Sequence, residues 1–275
     1  MIDRSGRTVL TTGANSGLGL ATVVHLARLG FHSVGSVRSA AKGADVCRAA
    51  EEAGVAVETV RLEVTDAERC AAVIAKLRPW ALVNNAGYLG LGAIEDVSDD
   101  DARQQFETMV LAPLRLARLA LPHMREAGGG RIVNVSSIYG RVTTPLTGWY
   151  QATKHALEAA TDALRMEVAR DGIKVILIEP GGLKTGIWAE LDDNVGRYSD
   201  SHYDASYGRT RALVGAYTGF MGNPARAAHG IGKALTVGSP RARYLIGPDA
   251  QAMAVAQPLV PTPIRDRMTR LVAGL

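Results

Sequence analysis

Short, near-continuous apolar runs alternate with longer stretches of helical spacing along most of the chain. The runs at 7–12, 32–37, 55–62, 81–84, 131–136 and 174–178 have strand length and are rich in Val, Ile, Leu and Thr. Between them, residues 17–29, 40–53, 66–77, 98–127 and 148–171 carry apolar residues at helical spacing. Strands that read as continuous apolar runs are buried on both faces, and strand–helix alternation places helices on those faces. The pattern therefore predicts a parallel sheet covered on both sides. Local punctuation agrees with it. Gly30 and Gly54 follow two helices, and Asp66 and Ser98 stand at N-cap positions. Asp99, Asp100 and Asp101 fill a first helical turn, where negative charge suits the helix dipole, and Gly128, Gly129 and Gly130 end that helix. Beyond Pro180 the pattern loosens, then a helix at 224–237 and a last strand at 243–246 follow. No linker-like stretch divides the chain, so residues 1–275 read as one domain.

Composition narrows the class. With 275 residues, 47% hydrophobic and 21% charged, the chain is neither disordered nor a disulfide framework. No apolar run reaches the roughly 18–20 residues of a membrane span. The formal charge of +4 is spread over arginines interleaved with acids, which is a solvated surface rather than a nucleic-acid footprint. Cys47 and Cys70 have neither metal-ligand nor disulfide spacing, so no metal site is expected. No apolar leader precedes the first strand, and the expected compartment is the cytoplasm.

The first strand runs into Thr12-Gly13-Ala14-Asn15-Ser16-Gly17-Leu18-Gly19 and then into a helix. Glycines in such a turn let backbone amides approach a pyrophosphate, and the helix N-terminus adds partial positive charge. Further along, Tyr150 and Lys154 are spaced i, i+4 and project from one helix face. A free phenol has a pKa near 10, too high for easy exchange at neutral pH, and a nearby ammonium favours the phenolate. The pair is thus suited to donate or accept a proton at an oxygen.

The Gly-x-x-x-Gly-x-Gly spacing resembles the short-chain dehydrogenase/reductase family. So do, in the same order, Asn84-Asn85-Ala86-Gly87, Ser137, Tyr150 with Lys154, and Pro180-Gly181. The likeness covers about residues 5 to 250, and the C-terminal part is most similar to the branch acting on hydroxysteroids and retinoids. It implies a Rossmann-like doubly wound parallel sheet, here with seven strands, and a homodimer or homotetramer. It also implies a catalytic group of Ser137, Tyr150 and Lys154. Tyr150 would be general acid in reduction, Lys154 would tune it and hold the nicotinamide ribose, and Ser137 would hydrogen-bond the substrate oxygen. Strand alternation sends Ser136 to the opposite face, and the family's thirteen-residue spacing to the Tyr selects Ser137.

The same resemblance assigns the cofactor contacts. Gly13, Asn15, Ser16, Gly17, Leu18 and Gly19 would form the phosphate turn. Glu63, Val64, Asn85, Ala86 and Gly87 would line the adenosine side, while Pro180, Gly181, Leu183 and Thr185 would hold the pyrophosphate and carboxamide. Relatives that prefer NAD carry an acid where Val37 stands; here Arg38 follows with a donor fork suited to phosphate, so NADP(H) is expected. Residues 186–222 match the variable substrate lid, and Trp149, Trp188, Tyr203 and Tyr207, with Leu89 and Tyr139, are expected to build a pocket for a bulky hydrophobic alcohol or ketone. One position departs from the family: Met109 stands where an Asn usually kinks the long fourth helix and holds a water of the proton relay. The alternative reading is a non-catalytic dinucleotide-binding sensor or scaffold, which Met109 favours and the retained Tyr150 and Lys154 oppose.

Overall fold

The computed structural model describes residues 6–186 and 196–275. Its strands are β1 (Thr8–Thr11), β2 (His32–Val37), β3 (Glu58–Arg61), β4 (Ala81–Asn84), β5 (Gly130–Val135), β6 (Ile173–Pro180) and β7 (Arg243–Ile246). They form one sheet in the order β3-β2-β1-β4-β5-β6-β7, and every pair is parallel. This is the Rossmann-like, doubly wound arrangement expected. Within each apolar run, alternate residues serve opposite faces, as strand geometry requires. Leu10, Leu82, Ile132 and Val175 enter one core with Cys70, Ile74, Leu116 and Ala120. Val9, Val83, Val133 and Ile176 enter the other with Leu18, Leu26, Ile231 and Leu235. The first core is closed by α3 (Ala67–Leu77) and α5 (Ala112–Glu126), the second by α1 (Gly17–Arg28) and α8 (Pro224–Thr236). A third cluster packs α1 against β2 and α2 (Ala40–Glu52).

Several elements differ from the sequence expectation, each for a local reason. The run at 55–62 contributes only Glu58–Arg61 to the sheet, because Val55 and Val57 turn instead into the cluster beneath α2. The long rod at 98–127 is α4 (Asp99–Phe106), a π-helical turn at Glu107–Leu111, and α5. Ser98 caps it as expected, accepting from Asp101 N at 3.1 Å, and Asp66 caps α3 through Arg69 N at 2.9 Å. The stretch at 148–171 is α6 (Gly148–Glu167) followed by a separate 3-10 turn at Ala169–Asp171. Three helices were not expected: α7 (Asp204–Tyr217), α9 (Pro248–Ala256) and α10 (Thr262–Ala273). Among the described residues, no helix is long and apolar enough to cross a membrane.

Because all strands run the same way, the C-terminal ends of β1, β4, β5 and β6 meet along one edge of the sheet. Strand order reverses between β1 and β4. In open parallel sheets, ligands bind in the crevice at such a switch point.

Candidate active site

The turn after β1 is stitched to the end of β4. Thr12 Oγ1 accepts from Asn85 N at 2.9 Å and Ala86 N at 3.0 Å. The Asn85 amide returns two bonds, to Thr12 O at 2.9 Å and Gly13 O at 3.2 Å. Gly13 has φ +65°, and a Cβ there would lie 2.9 Å from the Ala86 Cα. Only glycine tolerates both constraints. Ser16 is the N-cap of α1, yet its side chain makes no capping hydrogen bond. The first amides of α1 are thus left to an external acceptor, the arrangement that binds phosphate.

One cleft of about 900 Å³ opens above this turn. On its walls lie Gly13, Asn15, Ser16, Leu18, Arg38, Glu63, Val64, Asn85, Ala86, Gly87, Ser137, Tyr150, Lys154, Pro180, Gly181, Leu183 and Thr185. Two of the expected contacts, Gly17 and Gly19, are not on that wall. Gly17 turns the chain into α1 beside Thr185. Gly19 faces the Gly13 carbonyl, which a Cβ would meet at 2.1 Å, so its role is to let α1 approach the turn.

Tyr150 lies in the first turn of α6 and Lys154 one turn later, both buried. Lys154 Nζ is 5.6 Å from the centroid of the Tyr150 ring and donates to Val135 O at 3.0 Å. Ser137, two residues past β5 and at the head of a 3-10 turn, accepts from Tyr139 N at 3.2 Å. The Tyr150 ring is enclosed by Leu89, Met109 and Tyr139. The sequence predicts a phenol acidified by its ammonium neighbour, and here the chain alone does the opposite. Burial pushes Tyr150 up to about 12, and the Ser137 hydroxyl only partly opposes it. Burial pushes Lys154 down to about 8, with the Glu158 carboxylate opposing. For the phenol, desolvation of the charged form is the largest influence, and Lys154 stands over the ring rather than hydrogen-bonded to the hydroxyl. The consequence is that at neutral pH Lys154 is charged and Tyr150 keeps its proton, the states needed by a proton donor.

The substrate side of the cleft is built differently from the expectation. Leu89 and Tyr139 are on the wall, but Trp149, Tyr203 and Tyr207 are not. Trp149 is half-buried, donates from its indole to Ile94 O at 3.3 Å and meets Phe106 edge-on. Tyr207 is fully buried; its hydroxyl accepts from Ala93 N and donates to Asp96 Oδ2, both at 2.6 Å. Tyr203 packs in the same small cluster. Trp188 lies outside the described residues. The wall is instead supplied by Leu213, Val214 and Tyr217 of α7, Met253 of α9, and Met268 and Val272 of α10. The i, i+4 pairs Leu213/Tyr217 and Met268/Val272 are the signal in the sequence that marks these helices. Tyr217 OH donates to Asp249 Oδ2 at 2.6 Å, and the same oxygen accepts from Gly182 N at 2.8 Å, tying α7 and α9 to the loop after β6.

The short chain dehydrogenase family model matches residues 7–196. The protein is a member of the short-chain dehydrogenase family. It is 32% identical to the NADPH-dependent 3-dehydrocapnine reductase of Ornithobacterium rhinotracheale, over 95% of each chain. Among solved structures, a short-chain dehydrogenase from Streptomyces avermitilis superposes with a TM-score of 0.79 at 32% identity, covering 98% of this chain and 97% of that one. A variant of actinorhodin polyketide ketoreductase with NADPH gives a TM-score of 0.76 at 26% identity, covering 90% and 97%.

Two features of this short-chain dehydrogenase bear on how it differs from the family pattern. Met109 falls within the π-helical turn Glu107–Leu111, so the irregularity in the long helix is present without the usual Asn. Such single π-turns recur at functional sites. The Met109 side chain is fully buried, packs beside Gly87, where a Cβ would lie 3.4 Å from its Sδ, and joins the shell around Tyr150. Met109 is thus part of the apolar wall that desolvates the phenol. At the β2 end of the cleft, Arg38 is exposed and lines the wall; among the described residues, no carboxylate lies within ion-pair distance of it.

Proposed function

We propose that the protein is an NADP(H)-dependent carbonyl reductase that acts on a bulky hydrophobic ketone or aldehyde, with Tyr150 as general acid. One observation carries the reading: Ser137, Tyr150 and Lys154 converge on the cleft that also holds the phosphate-binding turn and the unpaired Arg38. The turn at Gly13, the unclaimed amides of α1 and the free guanidinium suit the pyrophosphate and an extra ribose phosphate. When bound, the dinucleotide supplies the hydride. The remaining work falls to the chain. Ser137 Oγ orients the carbonyl oxygen by a hydrogen bond, Tyr150 passes its proton to that oxygen, and the Lys154 ammonium stabilises the charge left on the phenol. Leu89, Tyr139, Leu213, Met253 and Met268 give the substrate end an apolar lining.

The NADPH dependence of the Ornithobacterium relative and the NADPH in the ketoreductase structure support this cofactor choice. In the same reading residues 1–275 form one catalytic unit, residues 186–222 act as its lid, and the protein is a cytoplasmic homo-oligomer that binds no nucleic acid. The test is NADPH consumption across a panel of aromatic and alicyclic ketones and aldehydes. Turnover with NADPH above that with NADH is expected. Tight NADPH binding with no turnover across the panel would overturn the catalytic reading and favour a dinucleotide sensor, to which buried Met109 at the relay position points.

A further inference from the structure

The hydride chemistry above employs Lys154 but leaves the charged cluster behind it without a role. Glu158 stands one helical turn beyond Lys154, as Lys154 stands one turn beyond Tyr150, so the three share a buried face of α6. Glu158 Oε2 lies 3.2 Å from Arg243 Nε, which is also 3.1 Å from Glu179 Oε1. Glu179 has no exposed side-chain surface and is gripped from the other side by Arg141, at 2.5 and 3.0 Å. Arg243 Nη2 continues to Asp162 Oδ2 at 2.5 Å, where Arg165 also pairs.

Glu158 Oε1 and Ser136 Oγ are both buried without a well-formed hydrogen bond. They converge beside Gly140, where a Cβ would lie 3.2 Å and 2.7 Å from them. Ser136 directly follows Val135, whose carbonyl holds the Lys154 ammonium. Charge counting gives the cluster a direction. Three carboxylates (Glu158, Glu179, Asp162) face three guanidiniums (Arg141, Arg243, Arg165), and Lys154 is a fourth cation bonded to a neutral carbonyl. A buried ammonium without a carboxylate nearby tends to lose its proton.

We propose that Glu158 is a positioning residue, whose carboxylate, braced by Arg243, keeps the buried Lys154 ammonium charged beside the Tyr150 phenol. The inference rests on the reading of Tyr150 and Lys154 given above. The titration behaviour agrees with the geometry. Burial draws Lys154 down to about 8 and Glu158 is the charge that opposes it. Burial and the Glu179 charge raise Glu158 to about 7, against Ser136, Arg243 and Arg141. Asp162, also on α6, faces outward onto Arg243 and Arg165.

The experiment is a pH titration by NMR of the whole ligand-free protein labelled at lysine Cε. The chain has six lysines, and Lys154→Arg assigns the resonance. In Glu158→Gln the Lys154 midpoint should fall by about half a pH unit or more, a roughly threefold change in its ionisation constant. Glu158→Asp, which keeps the charge, should retain most of the wild-type midpoint. An unchanged midpoint in folded Glu158→Gln, or an equal fall in both variants, overturns the proposal. Should Glu158→Gln not fold, the wild type carries the test. Its Lys154 resonance must show a second inflection near pH 7, where Glu158 titrates, and a single-step curve overturns the proposal. No turnover is needed for this measurement, so its failure is separate from failure of the reductase reading, which wild-type activity alone decides.

Discussion

Replacing Tyr207 by Phe isolates the bond that fastens α7 over the cleft. The ring is fully buried and stacks on Tyr198 at 5.2 Å between centroids, and Phe preserves that packing. Only the hydroxyl is lost, and with it two bonds of 2.6 Å, from Ala93 N and to Asp96 Oδ2. Asp96 keeps its bond from Ser201, at 2.7 Å, whereas Ala93 N loses its partner in a buried position. A hydrogen bond to a carboxylate contributes about 1.5–3 kcal/mol, and a stranded buried donor costs about 1–3 kcal/mol. The two terms overlap, since both refer to one hydroxyl, and together give about 3 kcal/mol. For a chain of this length each kcal/mol shifts Tm by about 2–4 °C, so a fall of about 6–12 °C is expected. Thermal melting of wild type and Tyr207→Phe followed by circular dichroism reads it directly. A Tm within about 1 °C of wild type would refute the argument that this hydroxyl anchors α7 to the loop after β4.

Three further outcomes follow from the site. Arg38→Ala removes charge-assisted bonds of about 1.5–3 kcal/mol, so NADPH affinity should fall by about 10- to 150-fold with NADH affinity little changed; fluorescence titration with both dinucleotides checks it, and equal losses would remove the basis for the NADP(H) assignment. Gly13→Ala places a Cβ against the Ala86 backbone at φ +65°, and should weaken NADPH binding by about tenfold or more while far-ultraviolet circular dichroism stays native. The pH profile of reduction should be set by Lys154: its lowered value means the ammonium predominates at neutral pH and is lost as pH rises through about 8, while Tyr150 keeps its proton to about 12. Activity that rises through that range would contradict the assignment of a charged Lys154.

The central sheet was legible because parallel strands are buried on both faces and therefore appear as unbroken apolar runs. The turn at Gly13 and the caps at Asp66 and Ser98 were legible for a similar reason: local chemistry places them whatever the distant packing. Tyr150 and Lys154 were paired by their i, i+4 spacing, whereas Ser137, on another element, was reached only through the family resemblance. What escaped notice depends on contacts across long separations. α9 and α10 touch the cleft with a narrow edge and leave Met253, Val255, Ile264, Met268, Leu271 and Val272 partly exposed, which blurs the helical period. Tyr203 and Tyr207 have the composition of a pocket wall, yet the Tyr207 hydroxyl is claimed by Ala93 and Asp96, more than a hundred residues earlier. The burial that raises Tyr150 in the chain alone is not visible in sequence, because an ammonium at i+4 can be read there whereas the enclosure by Leu89, Met109 and Tyr139 cannot.

The account rests on Tyr150 delivering a proton to a carbonyl oxygen in the cleft where the dinucleotide docks. Tyr150→Phe compared with wild type, by turnover of an active ketone and by NADPH titration on the same preparations, is the most direct test. The predicted result is a loss of turnover of at least about 10²- to 10⁴-fold with NADPH affinity kept within about threefold. A variant that reduces the ketone as fast as the wild type would contradict the claim.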